Sequence, residues 1–303
     1  MGCFLAYDIV YGLGYVSYGS FIHSPLDQVT PNLPAQPPLE RNIGIEETMD
    51  SIRNNHKILK LFPGPPKTYS LLETMPHNRT HFTQGLFFED GFLFESTGLQ
   101  GKSVLAKIIP KTGKAVEITS LAEEYFGEGA ARTRSHIVQL TYKHRKGFIY
   151  DAMRPGFVSL GSFPFSTRTG QGWGIAFDAK MNELVVSDGS SYLFFWDADT
   201  LQEKRYLQVK VITAVGWQPL EYLNELEVLP NGKILANVWY ADVLVAIDPK
   251  SGEVLDVYNF QTLHKRSSRN EDSFNGIAYD PGTNSLYVTG KQWPKMYRVS
   301  IAM

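Results

Sequence analysis

Glu128 has the surroundings in this sequence that most favour chemistry over packing. It stands between Gly127 and Gly129, which carry no side chain and so let a backbone or a ligand approach closely. Aromatic residues precede it, and a carboxylate placed among aromatic side chains is seldom a packing choice because burial of its charge is costly. Such a carboxylate suits general acid/base catalysis, since desolvation raises its pKa towards neutrality. We therefore predict that Glu128 exchanges protons with a substrate.

The setting of Glu128 recurs along the chain. Five copies hold equivalent residues 44 to 51 positions apart, which we call the repeat residues: Gln84, Glu128, Trp173, Asn224 and Asn275. Each copy leads into an apolar run, and four of the five repeat residues are followed directly by Gly. A fixed period of about 40–50 residues is typical of solenoids, propellers and arrays. The repeat residues therefore mark five structural units that position them.

Each repeat is predicted to be a small β-sheet, because runs rich in aromatic and β-branched residues alternate with Gly, Asn and Asp turns. First strands begin at the repeat residues. Second strands are expected over 92–96, 137–142, 183–187, 233–239 and 285–289. Third strands are expected over 103–109, 147–151, 192–197, 243–248 and 295–301, and fourth strands over 115–121, 157–163, 204–209 and 254–260.

The fifth repeat reaches the end of the sequence after three strands, and its fourth strand is expected over 68–75, ahead of the first repeat. Such a strand closes the repeats into a ring and removes exposed sheet edges, which a solenoid would not need. The predicted fold is therefore all-β: a five-bladed β-propeller whose last blade is closed by a strand from the N-terminal side.

First strands of propeller blades line the central channel, so the repeat residues are expected to meet at its mouth. The predicted mouth holds the polar residues Gln84, Glu128, Asp188, Asn224, Asn275 and Lys291 and the aromatic residues Phe82, Phe126, Tyr142, Trp173 and Trp239. Apolar walls with a few convergent polar groups are the usual make-up of a small-ligand pocket. We expect turn chemistry from Asp188 and hydrogen bonds between blades from Asn275.

The N-terminal part of the chain is predicted to lie outside the propeller. Residues 1–22 are apolar and aromatic with Asp8 as their one charge, which fits a signal sequence, a membrane anchor or an unstructured tail. Residues 23–66 are rich in proline, which is typical of a linker, and 67–303 remain for the catalytic propeller. Asn78 begins a glycosylation sequon that is usable only in the secretory route. The expected location is the secretory pathway or the cell exterior, with membrane contact only through residues 1–22.

Charge and cysteine content argue against several classes of protein and of site. A formal net charge of -2 and the lack of a basic stripe give no reason to expect nucleic acid. The single cysteine, Cys3, excludes an intramolecular disulfide framework and a cysteine-rich metal site. No metal is assigned to the site, because no ligand set is recognised among five of the seven histidines: His77, His81, His136, His144 and His264.

The same residues carry a resemblance to a known family. The motifs are FTQGL at 82–86, ESTGL at 95–99, YFGEG at 125–129, GWG at 172–174, SDGS at 187–190, LNELE at 223–227, ANVW at 236–239, NGIAYDP at 275–281 and VTGKQWPK at 288–295. In this order they resemble the plant and bacterial type of glutaminyl cyclase, or glutaminyl-peptide cyclotransferase. The resemblance spans about residues 70–301. It implies a five-bladed propeller that converts the N-terminal glutamine of peptides and proteins to pyroglutamate with release of ammonia.

The resemblance also assigns residues to roles. It makes Glu128 the acid/base, and it places in the substrate pocket Phe82, Gln84, Phe126, Trp173, Asn224, Trp239 and Lys291, with Tyr142 where many members have Trp. Tyr240-Ala241 replaces a common Gln-Thr, and Ala130-Ala131 stands where Leu-Thr is usual. The Tyr142 hydroxyl puts substrate preference in question. No cofactor is required, although a structural calcium in the channel is compatible with such a fold, and a monomer is expected.

Two other classes compete with this interpretation. One is a non-catalytic propeller that binds peptides at the channel mouth. The other is a metal-dependent propeller lactonase, which needs a cage of acidic and amide side chains around calcium. Only Glu128 among the repeat residues is charged, which argues against the lactonase.

Overall fold

The computed structural model describes residues 57–62 and 64–302, and within them five four-stranded antiparallel sheets form the blades of a propeller. Blade 1 consists of β2 (Thr83–Glu89), β3 (Phe92–Thr97), β4 (Val104–Ile109) and β5 (Lys114–Ser120). Blade 2 consists of β6 (Gly127–Arg132), β7 (His136–Thr141), β8 (Lys146–Asp151) and β9 (Ser159–Pro164). Blade 3 consists of β10 (Ile175–Asp178), β11 (Glu183–Ser187), β12 (Tyr192–Asp197) and β13 (Glu203–Gln208). Blade 4 consists of β16 (Leu223–Val228), β17 (Ile234–Val238), β18 (Val243–Ile247) and β19 (Val254–Asn259).

Blade 5 joins the two ends of the propeller. It contains β20 (Phe274–Asp280), β21 (Ser285–Gly290) and β22 (Lys295–Ile301), and its outer strand is β1 (Tyr69–Pro76). Strand β1 pairs antiparallel with β22, from Tyr69 opposite Ile301 to Pro76 opposite Lys295. The first strand of each blade contacts the first strands of both neighbours, so β2, β6, β10, β16 and β20 enclose the channel. The predicted five-bladed propeller and its N-terminal closing strand are confirmed.

The apolar core lies between adjacent blades. Strands β17 and β18 of blade 4 are buried along their whole length. Leu235 and Leu244 of that blade pack in one cluster with Ile277 and Val288 of blade 5. Burying each such side chain contributes roughly 1.5–3 kcal/mol, so contacts between blades hold the ring closed. Outer strands such as β5 instead alternate between exposed and half-buried residues, as expected for a sheet edge with one wet face.

The first strands bulge at the repeat residues in four of the described blades. The register shifts lie between Thr83 and Gly85, Gly127 and Ala130, Leu223 and Leu226, and Phe274 and Ile277. A Cβ on Gly129 would lie 2.6 Å from the Trp173 carbonyl oxygen and 2.7 Å from the Ile175 nitrogen. Glycine is therefore required after the repeat residue because the next blade's backbone occupies the space of a side chain.

The structure differs from the sequence-based prediction in two places. Residues 57–61 are helical, and Ile58 is buried in a cluster with Val211 and Val254, so the linker predicted over 23–66 does not extend through this part. A hairpin of β14 (Lys210–Thr213) and β15 (Gly216–Pro219) was not predicted and lies between blades 3 and 4 in the sequence. The predicted signal sequence or anchor at 1–22 lies outside the described residues. No helix in the part of the chain that the structure describes is long and apolar enough to span a membrane.

Candidate active site

Glu128 is fixed by both neighbouring blades. Gln84 Nε2 on blade 1 donates a 3.1 Å hydrogen bond to Glu128 Oε1. The Ser96 hydroxyl donates to the Glu128 backbone carbonyl, and the nitrogen of Gly129 donates to the Trp173 carbonyl of blade 3 at 2.7 Å. The Glu128 side chain is completely buried, yet its Oε2 has no hydrogen-bond partner among the described residues. One carboxylate oxygen is thus held in place while the other is left for a ligand.

Burial is the largest influence on the pKa of Glu128. Desolvation raises the pKa of Glu128 well above the ordinary carboxyl value, and the nearby Lys291 charge opposes this only in part. Burial likewise lowers the pKa of Lys291, against the charges of Asp272 and Glu128. The Lys291 ammonium lies 4.9 Å from the centroid of the Phe82 ring, a cation–π contact. Glu128 can therefore hold a proton under conditions in which an exposed glutamate has lost it.

Five aromatic side chains pack into one cluster around this position: Phe82, Phe126, Tyr142, Trp173 and Trp239. Phe82 and Phe126 meet edge to face at 6.1 Å between ring centroids, and Trp173 and Trp239 do so at 5.4 Å. The structure therefore brings together the aromatic residues that the sequence placed at the channel mouth. The cluster is mostly shielded from water, which strengthens electrostatic interactions inside it.

Buried amides supply further polar groups. Both amide atoms of Asn224 are buried without a hydrogen-bond partner among the described residues. Asn275 Nδ2 donates to the Thr83 carbonyl at 3.0 Å and so ties blade 5 to blade 1, while its Oδ1 has no partner in the described chain. Unpaired buried polar atoms are rare and call for a ligand or water. Asp188 accepts from the backbone nitrogens of Thr169 and Ser190, which is loop and turn chemistry.

Glu225 on β16 is a second fully buried carboxylate in the channel wall, and it was not predicted from the sequence. Glu225 follows the repeat residue Asn224, in the place where the other four copies have Gly. Its two oxygens accept from the backbone nitrogens of Leu86 at 3.1 Å and Ile277 at 2.8 Å, which belong to blades 1 and 5. Burial raises the pKa of Glu225 well above the usual carboxyl value, and the charge of Glu227 adds to this. The glutamate in place of this glycine was the signal in the sequence that could have identified Glu225.

A third polar group consists of His77, His81 and Glu95. His77 Nε2 lies 3.0 Å from Glu95 Oε1, and His81 Nδ1 lies 2.7 Å from Glu95 Oε2. Thr83 donates its hydroxyl to Glu95 Oε1 at 2.6 Å. Burial acts to raise the pKa of Glu95, but the two histidines outweigh it and hold the pKa well below the ordinary value. The available signal in the sequence was the spacing of His77 and His81, which are separated by three residues, and the pairing of β2 with β3 brings Glu95 to His81.

The fold and the site define a class: a five-bladed propeller with a buried, protonatable glutamate in an aromatic-walled channel mouth. A family model described as glutamine cyclotransferase matches residues 52–301. A glutaminyl-peptide cyclotransferase from Arabidopsis thaliana is 37% identical over 231 residues, which cover 75% of this chain and 69% of that protein. The crystal structure of a glutaminyl cyclase from Myxococcus xanthus is similar with a TM-score of 0.67 and 30% identity, over 78% of this chain and 100% of that one. The chain belongs to the glutamine cyclotransferase family.

Proposed function

We propose that the chain is a glutaminyl-peptide cyclotransferase in which Glu128 is the acid/base. The activity, conversion of N-terminal glutamine to pyroglutamate, is supported by the family and by the relative of that name. The observation that carries the role of Glu128 is its burial, with one oxygen bonded to Gln84 and the other unpartnered among the described residues. The raised pKa of Glu128 lies closer than that of an ordinary carboxyl group to the pKa of a peptide α-amine, ordinarily about 8, which lowers the free-energy cost of proton transfer between them.

The reaction is an intramolecular acyl transfer. The substrate's α-amine nitrogen attacks its own γ-carboxamide carbon, a new C–N bond closes the five-membered lactam, and the bond to the amide nitrogen breaks. Glu128 accepts the proton that the attacking nitrogen loses and delivers it to the departing nitrogen, which leaves as ammonia. Because both reacting groups belong to one residue, the pocket chiefly has to fold the glutamine side chain over its amine.

The remaining pocket residues bind the substrate and stabilise the oxyanion that forms during the reaction. Asn224 has an unpaired donor and an unpaired acceptor, which suit the carboxamide or the amine of the substrate. Lys291 or the Trp239 indole N–H would stabilise the oxyanion that develops on the carboxamide oxygen. Gln84 holds Glu128 and the aromatic cluster limits access of water. These steps use side chains of the chain itself and assign no step to a metal or other cofactor.

We also propose that the protein acts in the secretory pathway or outside the cell. Asn78 is exposed, and its Oδ1 accepts from the nitrogen and hydroxyl of Thr80 at 3.0 and 2.9 Å, so the sequon lies in an accessible Asx turn. Treatment of the secreted chain with an endoglycosidase tests this: a mass decrease that Asn78→Gln abolishes supports the proposal. Recovery of the protein only from the cytosolic fraction of its natural source contradicts it.

Incubation with a peptide that begins with glutamine tests the function. We expect ammonia release by the wild-type protein with and without a chelator, and at least a 10³-fold loss in Glu128→Gln with the fold intact by circular dichroism. Peptide binding without ammonia release would indicate the non-catalytic propeller. Loss of activity in chelator, while circular dichroism shows that the protein stays folded, would contradict the metal-free mechanism and favour a metal-dependent enzyme.

A further inference from the structure

A second chemical site lies at the joint of the propeller ring. His77, His81 and Glu95 are all buried, and one ligand atom from each lies within 4.8 Å of the other two. Two imidazoles and a carboxylate are a ligand set that zinc and similar divalent transition metals prefer, whereas calcium takes oxygen ligands. The chemistry of this group therefore favours zinc over calcium.

The hydrogen bonds around His77 orient it as a metal ligand. Its Nδ1 lies 2.6 Å from the carbonyl oxygen of Trp293, which can only accept, so Nδ1 carries the hydrogen. In a neutral ring Nε2 then presents a lone pair, and it faces Glu95 Oε1, a second acceptor, at 3.0 Å. Two lone pairs at this distance require a proton or a metal cation between them. A metal-ligating histidine ordinarily donates its other N–H to a backbone carbonyl in this way.

The other two members complete the set. His81 Nδ1 lies 2.7 Å from Glu95 Oε2, so each carboxylate oxygen faces one imidazole. The Thr83 hydroxyl donates to Glu95 Oε1 and thereby orients the carboxylate. The three residues offer three protein ligands, which leaves a fourth tetrahedral position for water.

We propose that His77, His81 and Glu95 bind one divalent transition metal ion, zinc being the best match, at the joint between blades 5 and 1. His77 directly follows the closing strand β1, His81 precedes β2, and Glu95 lies on β3. The ion therefore links the N-terminal closing strand to the first blade. It stabilises the closed ring and takes no part in the acyl transfer, so its test is independent of the proposed activity.

The test uses the purified full chain, stripped with a chelator and dialysed, then titrated with Zn²⁺ by calorimetry and thermal unfolding. We expect one zinc per chain and a rise in Tm of several degrees at saturation. His81→Ala is expected to bind zinc at least about 100-fold more weakly, and Glu95→Gln tests the carboxylate without loss of shape. His144→Ala is the matched control, because this histidine is exposed and contacts the Tyr125 ring outside the group.

Each outcome of these titrations either supports or overturns the proposed metal site. Weaker zinc binding in His81→Ala, with the fold retained by circular dichroism and with His144→Ala unchanged, supports the site. If Glu95→Gln does not fold, Co²⁺ absorption spectra of wild type and His81→Ala give the same comparison, with loss of the four-coordinate bands expected in the variant. Absence of stoichiometric zinc in the wild type, or equal affinity in wild type and His81→Ala, overturns the proposal and leaves a protonated His–Glu–His cluster.

Discussion

Gln84 and Glu128 lie on neighbouring blades and are joined by a 3.1 Å hydrogen bond from the Gln84 amide to Glu128 Oε1. Both are repeat residues and both are completely buried. The bond selects one orientation of the carboxylate and leaves Oε2 facing the site. The catalytic geometry thus depends on the register between two blades rather than on one strand.

Gln84→Met removes this donor at similar side-chain length. We expect kcat to fall about 10–100-fold with a smaller change in KM, because Glu128 loses its orientation. The pH optimum should move upwards, since loss of a donor to the charged carboxylate raises the pKa of Glu128 further. Initial rates of ammonia release across pH measure both effects. The control is Gln202→Met, which replaces an exposed glutamine. An unshifted pH optimum in Gln84→Met would refute an effect of the Gln84 hydrogen bond on the pKa of Glu128.

Lys291→Met removes the buried charge that opposes desolvation of Glu128. The pKa of Glu128 should then rise, and the pH optimum of kcat/KM should move upwards. If the ammonium also stabilises the oxyanion, kcat falls by about 10²–10³-fold even at the new optimum. Lys295→Met tests an exposed lysine on the same blade. A downward shift of the optimum in Lys291→Met is incompatible with the assignment.

Asn224→Leu replaces an amide whose two polar atoms are buried and unpartnered among the described residues. Removal of an unsatisfied polar group at similar volume should leave the free energy of unfolding unchanged or increased. Substrate turnover should suffer instead, with kcat/KM lower by about 10²–10³-fold because the carboxamide loses its hydrogen-bond partners. Urea unfolding and peptide kinetics together check this. Lower stability with unchanged kcat/KM would assign Asn224 to the scaffold.

Repetition made much of this fold readable from the sequence. The repeat residues, the turn residues and the missing fourth strand of the last repeat together predict five blades and the closing strand at β1. The aromatic cluster was predictable for the same reason, since first strands converge on one channel. Most predicted strand ends lie within two residues of the observed ends. Strand β13, for example, spans Glu203–Gln208 where 204–209 was predicted.

What the sequence did not indicate depends on contacts between distant segments. His77 and His81 stand four positions apart, a spacing that metal-binding histidine pairs use, so this pair could have been recognised from the sequence. The approach of Glu95 to the pair depends on the pairing of β2 with β3. Glu225 could have been recognised from the missing glycine, but its role depends on where the nitrogens of Leu86 and Ile277 lie. The hairpin of β14 and β15 lies outside the repeats and therefore outside the period.

The pH dependence of protein stability should reveal the raised pKa of Glu128. A carboxyl group with a higher pKa in the folded than in the unfolded state has no effect on stability while both states are protonated. It destabilises progressively as pH rises from about 4.3, the unfolded value, to the folded pKa. Glu128→Gln should therefore match wild type in Tm near pH 4 and exceed it increasingly as pH rises between the unfolded and the folded pKa of Glu128.

The exposed Glu123→Gln serves as the control and should follow wild type throughout. Differential scanning calorimetry over this pH range measures the gap. A Tm difference that shrinks as pH rises would show that the pKa of Glu128 is lowered by the fold, contrary to its burial.

Glu225 should be a structural residue of the channel. Its two carboxylate oxygens each accept from a backbone N–H, of Leu86 on blade 1 and Ile277 on blade 5. In Glu225→Gln one oxygen becomes an NH₂ group, which cannot accept and opposes a donor. We expect the free energy of unfolding to fall by about 1–3 kcal/mol, because one buried backbone N–H loses its partner. Urea unfolding should show a lower midpoint with the same m-value.

The matched control is Glu221→Gln, an exposed glutamate that precedes the same strand, β16. It should unfold as the wild type does. Peptide turnover by Glu225→Gln below its unfolding transition separates structure from catalysis: kcat/KM within a few-fold of wild type fits a residue that ties three blades together. A large loss of kcat in a variant of unchanged stability would instead make Glu225 a second proton-transfer group beside Glu128.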